Sequence, residues 1–306
     1  MDNKIPVVLS TDHNFIMPTG VCIKSMLDNA EGTTYSIYIL CADSVTDSDK
    51  DVLRAIVKRT DSDIDFLKMG SDLDNAHEVR GISTATYYRL KIPWLLPQYD
   101  KVLYIDGDII VKHGLGELYD TEMDGCFVAG VRTYGFSCNR KQIRHGLKLG
   151  VRKGEYINAG VLLINSRLWR EENVYETLKP HLESKYLFQD QDIINRVFNG
   201  RIKFLPLKYN VSWFFEGEGR KRFVASGSVS DKEIEESNHD PVIIHYAGEK
   251  PWKTFTQRWW DWWDVYERSD FFVPDEKLRV AYHALTHRKS LKKQLIEIVK
   301  TILKIK

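Results

Sequence analysis

No apolar run in this chain approaches the ~20 residues that a membrane-crossing helix needs. That absence argues against a helical membrane-spanning protein. Cysteine is scarce: Cys22, Cys41, Cys126 and Cys138 are scattered, and no close Cys–Cys spacing offers a zinc or redox centre. Four separate thiols suit a reducing compartment. There is no excess of charge of one sign either. The 44 Lys and Arg meet 43 Asp and Glu, a formal net charge of +1, so nothing points to nucleic acid as a partner. Internal repeats and low-complexity segments are also missing. Met1 leads straight into the apolar Ile5-Pro6-Val7-Val8-Leu9, so no signal peptide is expected and the body of the chain reads as cytoplasmic.

What is present is an alternation of strands and helices. Pro6 to Leu9, Tyr35 to Leu40 and Ile64 to Leu67 read as strands. Helices are expected after the first strand (Val21 to Leu27), over Asp47 to Arg59, and over Thr84 to Leu90. Further strands are expected over 101–111, Cys126 to Val131, Ile157 to Asn165 and Val242 to Ile244. This rhythm predicts a mostly parallel sheet with helices on both faces. Residues 134–154, rich in Arg, Lys, His and Gly, read as a flexible basic excursion, and Glu216 to Asp240 reads as a polar loop or lid. Five of the eight tryptophans fall between Trp252 and Trp263, where a helix packing its rings on the sheet is expected.

The most informative segment is Lys101-Val102-Leu103-Tyr104-Ile105-Asp106-Gly107-Asp108-Ile109-Ile110-Val111, an apolar strand interrupted by two carboxylates. Ionised and unpaired, they would cost several kcal/mol in a core. They therefore mark the carboxyl end of the strand, where open α/β sheets bind ligands. Gly107 is expected to let the backbone turn tightly so that both face one point, where one divalent cation would satisfy them. Capping of the following segment is the simpler role for an isolated Asp-Gly-Asp. Three further segments add chemistry. Asp12, Asn14 and Phe15 follow the first strand. Phe188-Gln189-Asp190-Gln191-Asp192 opens an apolar helical pattern, where Asp190 and Asp192 could also be first-turn acids, the reading preferred for Asp192. His245 follows a strand and precedes Gly248 and Lys250. Two carboxylates and an imidazole are a common ligand set for Mn²⁺ or Mg²⁺ that leaves positions for phosphate oxygens.

Five segments occur in a telling order: Thr86-Tyr87-Tyr88-Arg89-Leu90, Val102 to Asp108, Asn158-Ala159-Gly160-Val161-Leu162-Leu163, Gln189-Asp190-Gln191-Asp192, and His245-Tyr246-Ala247-Gly248-Glu249-Lys250-Pro251-Trp252. From about Val7 to Trp252 the chain resembles glycosyltransferase family 8, the retaining nucleotide-sugar transferases, and within it the bacterial lipooligosaccharide α-galactosyltransferases. The resemblance implies an α/β fold: a single Rossmann-like nucleotide-sugar-binding domain of the glycosyltransferase-A type, with a mixed, mostly parallel sheet. That domain is expected over 1–282, followed by a helical tail over 283–306. The implied reaction moves galactose or glucose from a UDP-hexose donor to a saccharide acceptor on a glycan, lipid or protein.

By position, the resemblance makes Asp106, Asp108 and His245 ligands of Mn²⁺ or Mg²⁺. Lys250 and the Gly248 backbone would contact the donor diphosphate, although only Glu249 separates them where the family usually has two residues. Asp12 would accept from uracil N3–H. Phe15 would stack on the base where the family often has Tyr, and Ser10, Asn14 and Gly107 would also belong to the nucleotide-sugar site. Arg89, Asn158 and Asp190 would hold the hexose, with Ala159 also in the nucleotide-sugar site and Gln191 beside the anomeric carbon. Gln191 and Asp190 are the candidate catalytic groups: front-face attack assisted by Gln191 or the leaving phosphate, or Asp190 as a covalent nucleophile. A phosphoryl-transfer enzyme of the Asp-x-Asp type and a non-catalytic glycan-binding module are the alternatives.

From His283 onward there are seven Lys or Arg and one Glu, a net +6 that leaves −5 for the preceding 282 residues. Leu291, Leu295, Ile298, Ile302 and Ile305 recur at i, i+4, i+7, i+11 and i+14, a single helical stripe beside Lys292, Lys293, Lys300 and Lys304. Over 287–306 this is the pattern of an interfacial helix drawn to anionic lipid, which would place the protein peripherally on the inner face of the plasma membrane. A terminal helix docked on its own domain or on a partner has the same pattern.

Overall fold

The computed structural model describes residues 4–69, 84–273, 275–277 and 279–280. The strands are β1 (Ile5–Thr11), β2 (Tyr35–Cys41), β3 (Asp63–Lys68), β4 (Val102–Ile105), β5 (Ile109–Val111), β6 (Val128–Arg132), β7 (Ile157–Ile164), β8 (Ile202–Leu205) and β9 (Ile243–His245). Seven of them form one sheet in the order β3-β2-β1-β4-β7-β6-β8. β1 pairs in parallel with β2 and β4, and β2 with β3. β7 is antiparallel to both β4 and β6, and β6 is parallel to β8. Within this sheet β7 alone is reversed. The expected mixed, mostly parallel sheet is present.

Alternate residues of the strands feed two cores. Val7, Leu9, Leu103, Ile105 and Leu163 pack on one face, and Val8, Val102, Tyr104, Leu162 and Ile164 on the other. Burial on both faces is why these strands read as unbroken apolar runs.

Three expectations about local structure are corrected. Segment 101–111 is not one strand: β4 stops at Ile105, and β5 leaves the main sheet to pair with β9, Ile109 opposite His245. The helix expected over Thr84 to Leu90 is present, as the 3₁₀ helix Thr84–Lys91. Residues 134–148 form the helices Tyr134–Cys138 and Arg140–Lys148, the second started by Asn139, whose Oδ1 accepts from Lys141 N at 2.9 Å. Phe136 anchors this basic excursion by stacking on Tyr156 with ring centroids 3.5 Å apart. The supposed lid of 216–240 forms the helices Gly217–Ala225 and Asp231–His239, which send Phe223 and Ile234 into the first core. β8 was not anticipated.

Two compact units divide the chain between His245 and Tyr246. In the second, the helix Trp259–Glu267 forms as expected. Its rings pack on one another and on Trp252, and the Trp259 and Trp263 indoles both donate to the Pro251 carbonyl. Among the described residues no helix is long and apolar enough to cross a membrane. The 282/283 boundary and the tail stripe lie outside the described residues.

Candidate active site

The reversal of β7 positions the site. Because it runs against its neighbours, its first residues reach the carboxyl end of β4, where Asp106 N donates to Gly160 O at 2.8 Å. Asp108 stands immediately before β5, and the β5–β9 pairing of Ile109 with His245 draws in the imidazole. His245 Nε2 lies 3.3 Å from Asp108 Oδ1 and 3.8 Å from Asp106 Oδ2. One ligand atom from each of the three residues lies within 4.8 Å of the others.

The donor set fits a hard divalent cation: two carboxylates, and an imidazole whose far nitrogen is held by a side-chain amide, Nδ1 to Asn210 Oδ1 at 2.8 Å. The space is also shaped for it. A Cβ on Gly160 would come within 2.3 Å of His245 Cε1 and 2.6 Å of Asp106 Oδ2. Gly107 is needed for a different reason from the expected tight turn. It is not among the glycines of positive φ, but a Cβ there would meet Thr19 Oγ1 at 2.7 Å and the Phe15 ring at 3.2 Å.

Arg89, buried beside this cluster, ties two acids together. Its Nη2 lies 3.2 Å from Asp106 Oδ1 and its Nε 3.0 Å from Asp190 Oδ2, while Nη1 donates to Ala159 O. The guanidinium stands 4.3 Å from the centre of the Tyr104 ring, and the Tyr104 hydroxyl donates to Asp106 Oδ1 at 2.8 Å. Burial holds that phenol well above its ordinary pKa, so it stays a neutral donor. Burial alone would lower the Arg89 pKa, but Asp106 and then Asp190 outweigh it and raise it. Burial pushes the Asp190 carboxyl up, against the pull of Arg89, to about 6.

Asp190 and Gln191 lie in the first turn of the helix Gln189–Val197. Gln191 Oε1 accepts from Ala159 N at 3.0 Å and from Asn158 Nδ2 at 3.2 Å, and its Nε2 faces the Tyr156 hydroxyl at 3.3 Å. Asp192 is fully buried and accepts from Phe188 N, the Tyr156 hydroxyl and His145. It does satisfy a helix-start N–H, as the capping reading held, but it also anchors Tyr156 and His145.

The structure thus joins Arg89, Asp106, Asp108, Asn158, Ala159, Asp190, Gln191 and His245 through direct contacts, with Phe15 against Gly107. Ser10 and Asp12 lie at and just beyond the carboxyl end of β1, and Asp12 Oδ1 is buried with no hydrogen-bond partner among the described residues. Asn14 is exposed on the 3₁₀ turn His13–Phe15. Gly248 and Lys250 fall in the second unit, Gly248 exposed and Lys250 Nζ donating to Tyr246 O at 2.7 Å. Tyr104, Gly160, Tyr156 and Asn210 escaped the sequence reading. Tyr104 was findable, because it precedes Asp106 by two residues on one strand face. Asn210 carries no local signal.

The model of the family described as Glycosyl transferase family 8 matches residues 6–256. The lipopolysaccharide glucosyltransferase WaaO of Escherichia coli K12 is 28% identical over 278 residues, covering 88% of this chain and 76% of its own length. The lipopolysaccharide 1,3-galactosyltransferase of Salmonella typhimurium LT2 is 26% identical over 280 residues, 89% of this chain and 77% of its own. Among solved structures, galactosyltransferase LgtC in complex with donor and acceptor sugar analogs superposes with a TM-score of 0.73 at 25% identity, covering 90% of this chain and 100% of that one. The apo bifunctional glycosyltransferase WbbM gives a TM-score of 0.76 at 28% identity over 92% of this chain, which spans about half (52%) of WbbM.

Proposed function

The chain belongs to glycosyl transferase family 8, and from that premise we propose that it transfers galactose or glucose, with retention, from a UDP-hexose to a saccharide acceptor. The observation that carries this reading is the convergence of Asp106, Asp108 and His245 around the bare Cα of Gly160. These three residues would hold Mn²⁺ or Mg²⁺. Bound there, the cation supplies charge neutralisation for the diphosphate, which makes UDP a tolerable leaving group. Asp12 and Phe15 would take the uracil, and Gly248 and Lys250 the diphosphate. Arg89, Asn158 and Asp190 would hold the hexose. The relatives named above, one a glucosyltransferase and one a galactosyltransferase, support a hexose donor of either kind.

For the chemical step, front-face attack is the simpler route. Both lone pairs of Gln191 Oε1 already accept N–H groups, from Ala159 and Asn158, so this amide positions rather than attacks. Asp190 is paired with Arg89, which dulls it as a covalent nucleophile. The acceptor proton would leave with the departing phosphate. Residues 287–306 would bring the enzyme to an anionic membrane carrying its acceptor.

The test is UDP release from UDP-galactose and UDP-glucose without acceptor. We expect it to vanish with EDTA, to return with Mn²⁺, and to drop by orders of magnitude in Asp108→Ala, which stays folded. Normal turnover after EDTA treatment would remove the metal from the reading.

A further inference from the structure

Two backbone N–H groups fix the direction of a longer side-chain chain. Gly160 N donates to Asn158 Oδ1 at 2.8 Å, so that atom is an acceptor. The group of Asn210 facing it at 2.8 Å must then be Nδ2, which turns Asn210 Oδ1 toward His245 Nδ1, also at 2.8 Å. An amide oxygen only accepts, so Nδ1 bears the hydrogen and Nε2 is the nitrogen left for a metal. At the other end, Ala159 N donates to Gln191 Oε1, which requires Asn158 to present Nδ2 to that same oxygen, as it does. The polarity is consistent along His245, Asn210, Asn158 and Gln191.

Asn210 is 3% exposed and held by backbone on both sides. Val211 N donates to Ile243 O, and His245 N donates to Val211 O, so the chain after Asn210 runs alongside β9. The amide has no other orientation that satisfies both neighbours.

We propose that Asn210 is a positioning residue: it sets the His245 tautomer for metal ligation and, by donating to Asn158 Oδ1, steadies the Asn158 amide that donates to Gln191 Oε1. One brace then serves the metal end and the sugar end of the donor site together. This rests on the donor-site reading given above. A conserved shape alone would not do the work. Leucine fills the same space but leaves Nδ1–H without an acceptor. Aspartate accepts from Nδ1–H yet cannot donate to Asn158 Oδ1, so it separates the two halves of the brace.

The experiment is Mn²⁺ binding to the full chain, read by the EPR signal of free Mn²⁺, with UDP-hexose hydrolysis at saturating Mn²⁺ as a second readout. Asn210→Leu should weaken Mn²⁺ binding by about 10- to 100-fold. Asn210→Asp should bind Mn²⁺ within about threefold of wild type, yet hydrolyse the donor roughly five- to tenfold more slowly, the scale of one lost neutral hydrogen bond. If the Leu variant does not fold, the Asp variant alone carries the test through that split. Equal loss of Mn²⁺ binding in both variants would mean that packing, not the acceptor, matters, and would overturn the proposal. So would wild-type binding in the Leu variant, or an Asp variant that hydrolyses at the wild-type rate. A wild-type chain that binds no Mn²⁺ would overturn the donor-site reading as well.

Discussion

Gly160 and His245 touch so closely that the site has no room for a methyl group: a Cβ on Gly160 would lie 2.3 Å from His245 Cε1. Gly160→Ala must therefore displace the imidazole, the Asp106 carboxylate or the start of β7. The expected cost is about 1–3 kcal/mol in urea unfolding, typical of overpacking, together with at least a tenfold loss of Mn²⁺ affinity. Wild-type Mn²⁺ binding in this variant would show that the three ligands need not converge there.

Asp12 Oδ1, buried with no hydrogen-bond partner among the described residues, is suited to uracil N3–H. A base lacking that N–H would leave the oxygen unsatisfied, at about 1–3 kcal/mol. Calorimetry should find UDP binding about five- to 150-fold more tightly than ADP or CDP, which lack that N–H, with the preference largely lost in Asp12→Ala. Equal affinity for ADP would defeat the uridine assignment.

Burial raises the Asp190 carboxyl to about 6 against an ordinary value of 3.8, so its contribution to stability has a definite sign. The folded state binds the proton more tightly than the unfolded state. The group's contribution is therefore greatest below the unfolded pKa and falls as pH rises through about 4 to 6. The stability of wild type relative to Asp190→Asn in EDTA should fall by up to roughly 3 kcal/mol from pH 4 to 7. A relative stability of wild type that stays level or rises with pH would show that Arg89 dominates over burial.

The tail stripe from Leu291 to Ile305, within a segment of net +6, should bind anionic vesicles, more weakly as salt rises. Every proposed site residue precedes Trp252, so removal of residues 287–306 should leave UDP-hexose hydrolysis intact. Absence of vesicle binding by the intact chain, or failure of the shortened chain to fold, would count against a membrane role.

The alternation of apolar runs with amphipathic segments was enough to predict an α/β sheet covered on both faces, because strand and helix periodicities are local properties. Asp106 and Asp108 were legible too, since carboxylates in an apolar run demand a strand end and a counter-charge. Helices Tyr134–Cys138 and Asp231–His239 were hidden because a few anchors, such as Phe136 and Ile234, hold otherwise polar stretches, too little apolar pattern to show a period. The order of the motifs along the chain identified the residues of the site, but not how they meet. Only tertiary structure decided that β7 runs backwards, that β5 leaves the sheet to pair with β9, and that Asn210 stands behind His245. Those are pairings between segments 35 to more than 130 residues apart. Long-range hydrogen bonding and burial select them, and neither leaves a periodic trace in the residues that take part.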